Sequence, residues 1–73
     1  MSFDDAWAIL DRYLDDACVA RYPRVRIIHG KGTGVLRRKI NEQLKQDERV
    51  ASHEMGEYYE GGAGVTVVNM KLD

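Results

Sequence analysis

The chain is predicted to fold as a small single-domain α/β protein, on three observations. An amphipathic stripe of helical period opens the sequence, short β-branched apolar runs recur after it, and a glycine-rich turn stands between one such run and a second helical pattern. Seventy-three residues leave no room for a second domain.

The first element is read from Phe3, Trp7, Leu10, Leu14 and Ala17, which fall three and four apart, with Ala6, Tyr13 and Cys18 widening the stripe. Ser2 suits the N-cap, and Asp4 and Asp5 suit the positive end of the helix dipole. The helix, of about five turns, ends before Pro23, which disfavours helix at Tyr22. Val25-Arg26-Ile27-Ile28 is short and β-branched, hence a strand. His29-Gly30-Lys31-Gly32-Thr33-Gly34 turns the chain. Val35, Leu36, Ile40 and Leu44 then repeat at helical spacing, predicting a second helix over about residues 34–46. A weaker strand is expected from Val50 to about Met55, and a loop from Gly56 to Gly64. Val65-Thr66-Val67-Val68-Asn69-Met70 is a strong strand, apolar enough to lie near the middle of a sheet. The order is helix, strand, helix, strand, strand, and the first helix lacks a preceding strand to complete a crossover.

Composition excludes several classes. No apolar run approaches the roughly 20 residues needed to span a membrane, so no membrane partner is expected. The acidic start lacks the basic and apolar regions of a signal peptide. The single cysteine, Cys18, forbids an internal disulfide and is assigned to the core. A cytoplasmic location is expected on these grounds.

The formal net charge of −1 conceals a strong asymmetry. Residues 24–41 hold Arg24, Arg26, Lys31, Arg37, Arg38 and Lys39 and no acid, whereas the flanking segments are acidic. Such concentration suits a localised anion site better than a wide basic surface.

His29 to Gly34 is the segment with chemistry. It leaves the carboxyl end of a buried strand and opens a helix, where ligands settle in open α/β sheets. Unpaired amides and the helix dipole favour an anion there. Gly30, Gly32 and Gly34 remove side chains that would hold a phosphate away, Lys31 supplies a charge, and Thr33 caps the helix or donates to an oxygen. Arg37 or Arg38 stands one turn further on. The segment is not a P-loop, since Val25 occupies the position of the first glycine, and Gly34 comes one residue too early for the dinucleotide fingerprint. Two readings of His29 stand: a general acid or base near neutral pH, or an imidazole bound to backbone at a strand end. Asp11 and Asp15, four apart, read as a solvated face rather than metal ligands. His53-Glu54 matches no metal spacing. Tyr58 and Tyr59 are either base-stacking rings or surface cover. The glycine cluster Gly61-Gly62-Ala63-Gly64 is either a hairpin turn or a second wall of the same crevice.

Ile27 to Arg37 resembles the His-Gly-Lys-Gly-Thr-Gly motif of Smr (small MutS-related) domains, and Gly61 to Val68 resembles their closing Gly-Gly-x-Gly-x-Thr strand. The likeness covers nearly the whole chain and is nearest to the Smr domains ending bacterial MutS-like proteins of the second type. It implies a two-layer sandwich of two helices on a small mixed sheet, and a nicking or endonucleolytic activity. The substrates implied are branched or duplex DNA, in recombination and repair, or mRNA on collided ribosomes, in ribosome rescue. The family's functional histidine falls on His29, its lysine on Lys31 and its loop glycines on Gly30, Gly32 and Gly34. Thr33, Arg37, Arg38, Gly61 and Gly62 are the further expected phosphate contacts. No cofactor or metal ligand is assigned, and the divalent-metal requirement stays open. A non-cleaving docking module for nucleic acid or for the ribosome is the alternative. Smr domains usually open with a Leu-Asp-Leu-Arg/His-Gly strand that carries an acid and a base. The chain begins after it, so a truncated piece of a longer MutS-like protein is expected, cleaving weakly or not at all. Its open sheet edge is expected to allow self-association.

Overall fold

The computed structural model describes residues 2–72. Helix α1 (Phe3–Ala20) is followed by β1 (Arg24–Ile28), α2 (Val35–Lys45), β2 (Val50–Met55), two short 3₁₀ turns at Tyr58–Glu60 and Gly62–Gly64, and β3 (Val65–Met70). The predicted elements are all present, with boundaries within a residue or so.

Ser2 caps α1, its hydroxyl accepting from the Asp5 amide at 3.3 Å while donating to the Asp5 carboxylate at 2.9 Å. The helix ends on Arg21 in the left-handed conformation, two residues before Pro23. Its buried stripe is narrower than the apolar pattern suggests: Ala6, Leu10, Leu14 and Ala17 are buried, with Phe3 and Trp7 packed beside the core. Cys18 is exposed, against the expectation of a core thiol. A helix in a two-layer domain buries one face only, and Cys18 lies one step round from Ala17 on the side facing water.

The three strands form one sheet in the order β1-β3-β2. The central, doubly covered place foreseen for Val65–Met70 is realised, with five of its six residues buried. The sheet is not mixed. β1 and β2 run in the same direction but never touch, and each bonds antiparallel to β3, with Val25 opposite Val68 and His53 opposite Val68 on the other side. The α2 crossover carries the chain one strand's width too far for direct pairing, and β3 returns through the gap. Both helices lie on one face, where Leu14, Ile40 and Leu44 meet Val25, Ile27, Val68 and Met70 in a single core. On the opposite face the connection from β2 to β3 folds back over the sheet. Gly56 and Gly61 stand so close to Val65 that a side-chain carbon on either would crowd it.

Arg49 ties the first helix to the turn before β2. Its guanidinium donates to Asp47 at 2.7 Å and to Asp11 at 2.8 Å, with Asp15 at 4.0 Å. Asp11 and Asp15 lie on a solvated face, as expected, with side chains 60% and 72% exposed, and from there they pair with Arg49. Among the described residues no group of three or more His, Cys, Asp or Glu side chains is placed to hold a metal, and no helix is long and apolar enough to cross a membrane.

Candidate nucleic-acid interface

The β1–α2 junction is built on glycine because the backbone demands it. Gly30, Gly32 and Gly34 have φ of 76°, 44° and 84°, a region that side chains strongly disfavour. A carbon added at Gly30 or Gly32 would meet nothing within 4 Å, so the space beside the loop is open as well. Gly34 is the N-cap of α2 and offers no side-chain cap, while the Thr33 hydroxyl reaches only the Val35 amide, at 3.4 Å. Thr33 is thus a weak auxiliary to the helix start, not its cap. Among the described residues, no acceptor meets the amides of Lys31, Gly32, Thr33, Leu36 or Arg37. These donors stand where the helix dipole is positive.

Cationic side chains reach the same space. The Arg37 guanidinium folds back over Gly34, 3.5 Å from where a side-chain carbon would stand. Arg37, Arg38, Thr33 and Gly34 line the start of a groove of about 450 Å³ that continues past Asn41 and one acid, Glu42, to Lys45. Lys31 lies against the second glycine cluster, its stem 3.6 Å from the corresponding position on Gly64. The two loops are joined by hydrogen bonds, the amides of His29 and Gly30 both donating to the Gly64 carbonyl at 3.1 and 3.0 Å. Gly64 is therefore the member of the second cluster that walls the crevice. Gly61 and Gly62 sit further back, with their amides already donating to Tyr58 and Glu57.

His29 is half-buried and held at both ring nitrogens. Nδ1 lies 2.8 Å from the Gly30 carbonyl and Nε2 lies 2.9 Å from the Thr66 hydroxyl. A carbonyl only accepts, so Nδ1 carries the proton. In the neutral ring Nε2 then accepts from Thr66, whose oxygen in turn accepts from the Asn41 side-chain amide at 3.2 Å. Asn41 also donates to the Arg37 carbonyl at 2.8 Å. Thr66 and Asn41 thus connect β3 and α2 to the loop; Thr66 stood in the sequence only as the threonine of the closing Gly-Gly-x-Gly-x-Thr motif, with no role given, and Asn41 was not singled out. The signal existed for Thr66: a hydroxyl in an otherwise apolar buried strand must find a partner. Asn41 carries no such mark. His53 lies on β2, away from this cluster. Burial, and secondarily the charge of Lys45, hold its imidazole below the ordinary histidine range.

The Smr domain family matches residues 1–71. The chain is 55% identical over 71 residues to endonuclease MutS2 of Clostridium perfringens strain SM101, and 52% identical over 69 residues to endonuclease MutS2 of a Geobacillus species. These alignments cover 97% and 94% of the chain but only 9% of each relative. The crystal structure of the Smr domain of Thermus thermophilus MutS2 superposes with a TM-score of 0.95 at 39% identity, over 99% of this chain and 90% of that one. Sequence, motif placement and backbone agree: the chain belongs to the Smr domain family.

Proposed function

We propose that this domain binds nucleic acid by its phosphodiester backbone at the β1–α2 junction and contributes that contact to an endonuclease acting on DNA or RNA. One observation carries the reading: a run of amides without acceptors opens α2, with Arg37 folded over it and Lys31 beside it. Fixed N–H donors with a lysine in the same loop suit the spread negative charge of a phosphodiester, and they suit the greater charge of its transition state better still. The relatives' shared designation as endonucleases agrees with that chemistry.

His29 divides two versions of the proposal. As a proton-transfer group it would exchange its Thr66 contact for a substrate oxygen. As a positioning residue it locks the loop and does no chemistry, which makes the domain a docking module. The engagement of both ring nitrogens favours the second version. The versions separate on a labelled nicked or branched duplex. Lys31→Ala is expected to weaken binding and cleavage together, by about ten-fold in binding if one charge-assisted contact is lost. His29→Ala is expected to abolish cleavage and spare most binding if the ring transfers a proton. A parallel loss of binding and loop order marks it as a positioning residue. Unaltered binding in Lys31→Ala would sink the site itself.

A further inference from the structure

The connection between β2 and β3 carries two tyrosines that the glycine-loop site does not use. Tyr58 is 98% exposed and Tyr59 84%, yet the turn beneath them is firmly held. The Glu57 side chain accepts from the backbone of Glu60, and the Glu60 side chain accepts from the Glu57 amide at 3.1 Å. The Glu60 carboxylate also pairs with Arg24 at 3.8 Å, and the Gly62 amide donates to the Glu57 carbonyl at 3.0 Å. The rings are therefore displayed by a fixed support. Their exposure is not a by-product of a loose loop.

The surface beside them carries two arginines. Val25 and Ile27 face the helices, so Arg24 and Arg26 lie on the other side of β1, and Tyr59 shares a hollow of about 320 Å³ with them and with Glu60, the partner of Arg24. Arg26 has no acidic partner among the described residues. Glu54 stands beyond β3, on the far edge strand, which confines the basic character to the β1 side. From Arg24 the strand runs ~16 Å to the glycine loop, and Gly64 bonds the tyrosine-bearing connection to that loop.

We propose that Tyr58 and Tyr59 form a stacking platform for unpaired bases, with Arg26 contacting an adjoining phosphate and Arg24 bracing the turn through Glu60. The domain would then select a strand whose bases are unpaired to one side of the phosphate held at the glycine loop. This rests on the phosphodiester reading of that loop and names its substrate class. Bases within a duplex already spend their faces on each other, whereas exposed aromatics beside a cationic track are what single strands recognise.

The test is fluorescence anisotropy of this chain with a short labelled single-stranded DNA and with the blunt duplex containing the same strand. Tyr58→Ala/Tyr59→Ala is expected to lose about ten-fold or more on the single strand and little on the duplex. Tyr59→Trp keeps the affinity, because the ring face and not the hydroxyl makes the contact. Arg26→Gln lowers the salt dependence on the single strand. Unchanged single-strand binding in the double variant, or equal losses on both ligands, overturns the platform. If Lys31→Ala still weakens both ligands in that case, the glycine-loop site survives. If Lys31→Ala changes neither, the loop reading falls and takes the platform with it.

Discussion

Thr66 is 1% exposed and shows how much can hang on one oxygen. It lies between the imidazole of His29 and the amide of Asn41 and holds the ring at Nε2, while the Gly30 carbonyl keeps the proton on Nδ1. Thr66→Val keeps the shape and suits the strand, so its effect is almost purely the lost hydroxyl. Unfolding free energy is expected to fall by about 1 kcal/mol, since the half-buried His29 finds water in compensation. The Nε2 ¹⁵N shift of the His29 ring should move as its hydrogen-bond donor is lost, while the Gly30 carbonyl keeps the proton on Nδ1. An unchanged Nε2 signal would refute the Thr66 contact. Arg49 presents the opposite case, a charge network whose value is stability. Hydrogen bonding to Arg49 holds the Asp47 carboxyl below its ordinary range, against the opposing effect of burial. A carboxylate depressed in the folded state stabilises the fold fully above its unfolded pKa, and that contribution fades as pH falls below about 4. Arg49→Met leaves the mostly buried Asp47 unpaired and should cost on the order of 2 kcal/mol at neutral pH. Urea titrations at pH 7 and in acid should show the difference between the two proteins shrinking as Asp47 takes up its proton. A gap that persists in acid would mean that Arg49 acts by packing alone.

At the scale of elements, glycine serves the fold in two different ways, and substitution separates them. Gly30 and Gly32 face open space, so an alanine there meets only the backbone penalty of about 1 kcal/mol. Gly61 has φ of 116°, and a side-chain carbon on it would lie 2.5 Å from Val65 Cγ2. Val65 is buried and β-branched, so it has little freedom to move aside. Gly61→Ala should therefore be the worst of the series, at about 2 to 3 kcal/mol in chemical denaturation. Equal costs at Gly30 and Gly61 would contradict the packing of the β2–β3 connection against the sheet. The same elements show what sequence makes legible. The β3 run is apolar on both faces, and only a central strand has two faces to bury, so its place could be read directly. The turn from β1 into α2 was legible because alternating glycines mark a backbone that side chains disfavour, which the positive φ of Gly30, Gly32 and Gly34 shows. Strand order was not, because β3 enters between β1 and β2 through contacts about 40 residues apart that leave no local period. The Arg49 network and the Asn41 contact were hidden for the same reason.

At the scale of the whole molecule, the distribution of charge decides how the domain meets a polyanion. A chain of net charge −1 has no general attraction for nucleic acid, so binding must come from the few cations that converge on one place. Arg37 and Arg38 line the groove at the start of α2, and Lys31 belongs to the glycine loop whose amides lack acceptors; each phosphate neutralised on a duplex releases counterions. Three such contacts predict a slope of about −2.7 for log affinity against log salt. Acidic α1 keeps phosphates on its own side of the domain from joining. A basic domain of equal size would give a steeper slope and bind any polyanion. Lys31→Ala should flatten the slope by about one, whereas Lys39→Ala, a change in the same basic segment but on α2, outside both the glycine loop and the groove lining, should leave it nearly unchanged. Anisotropy titrations over a range of salt concentrations measure all three slopes. Equal flattening by Lys39 and Lys31 would mean that affinity follows the charge of the segment as a whole, and the converging site would lose its physical basis.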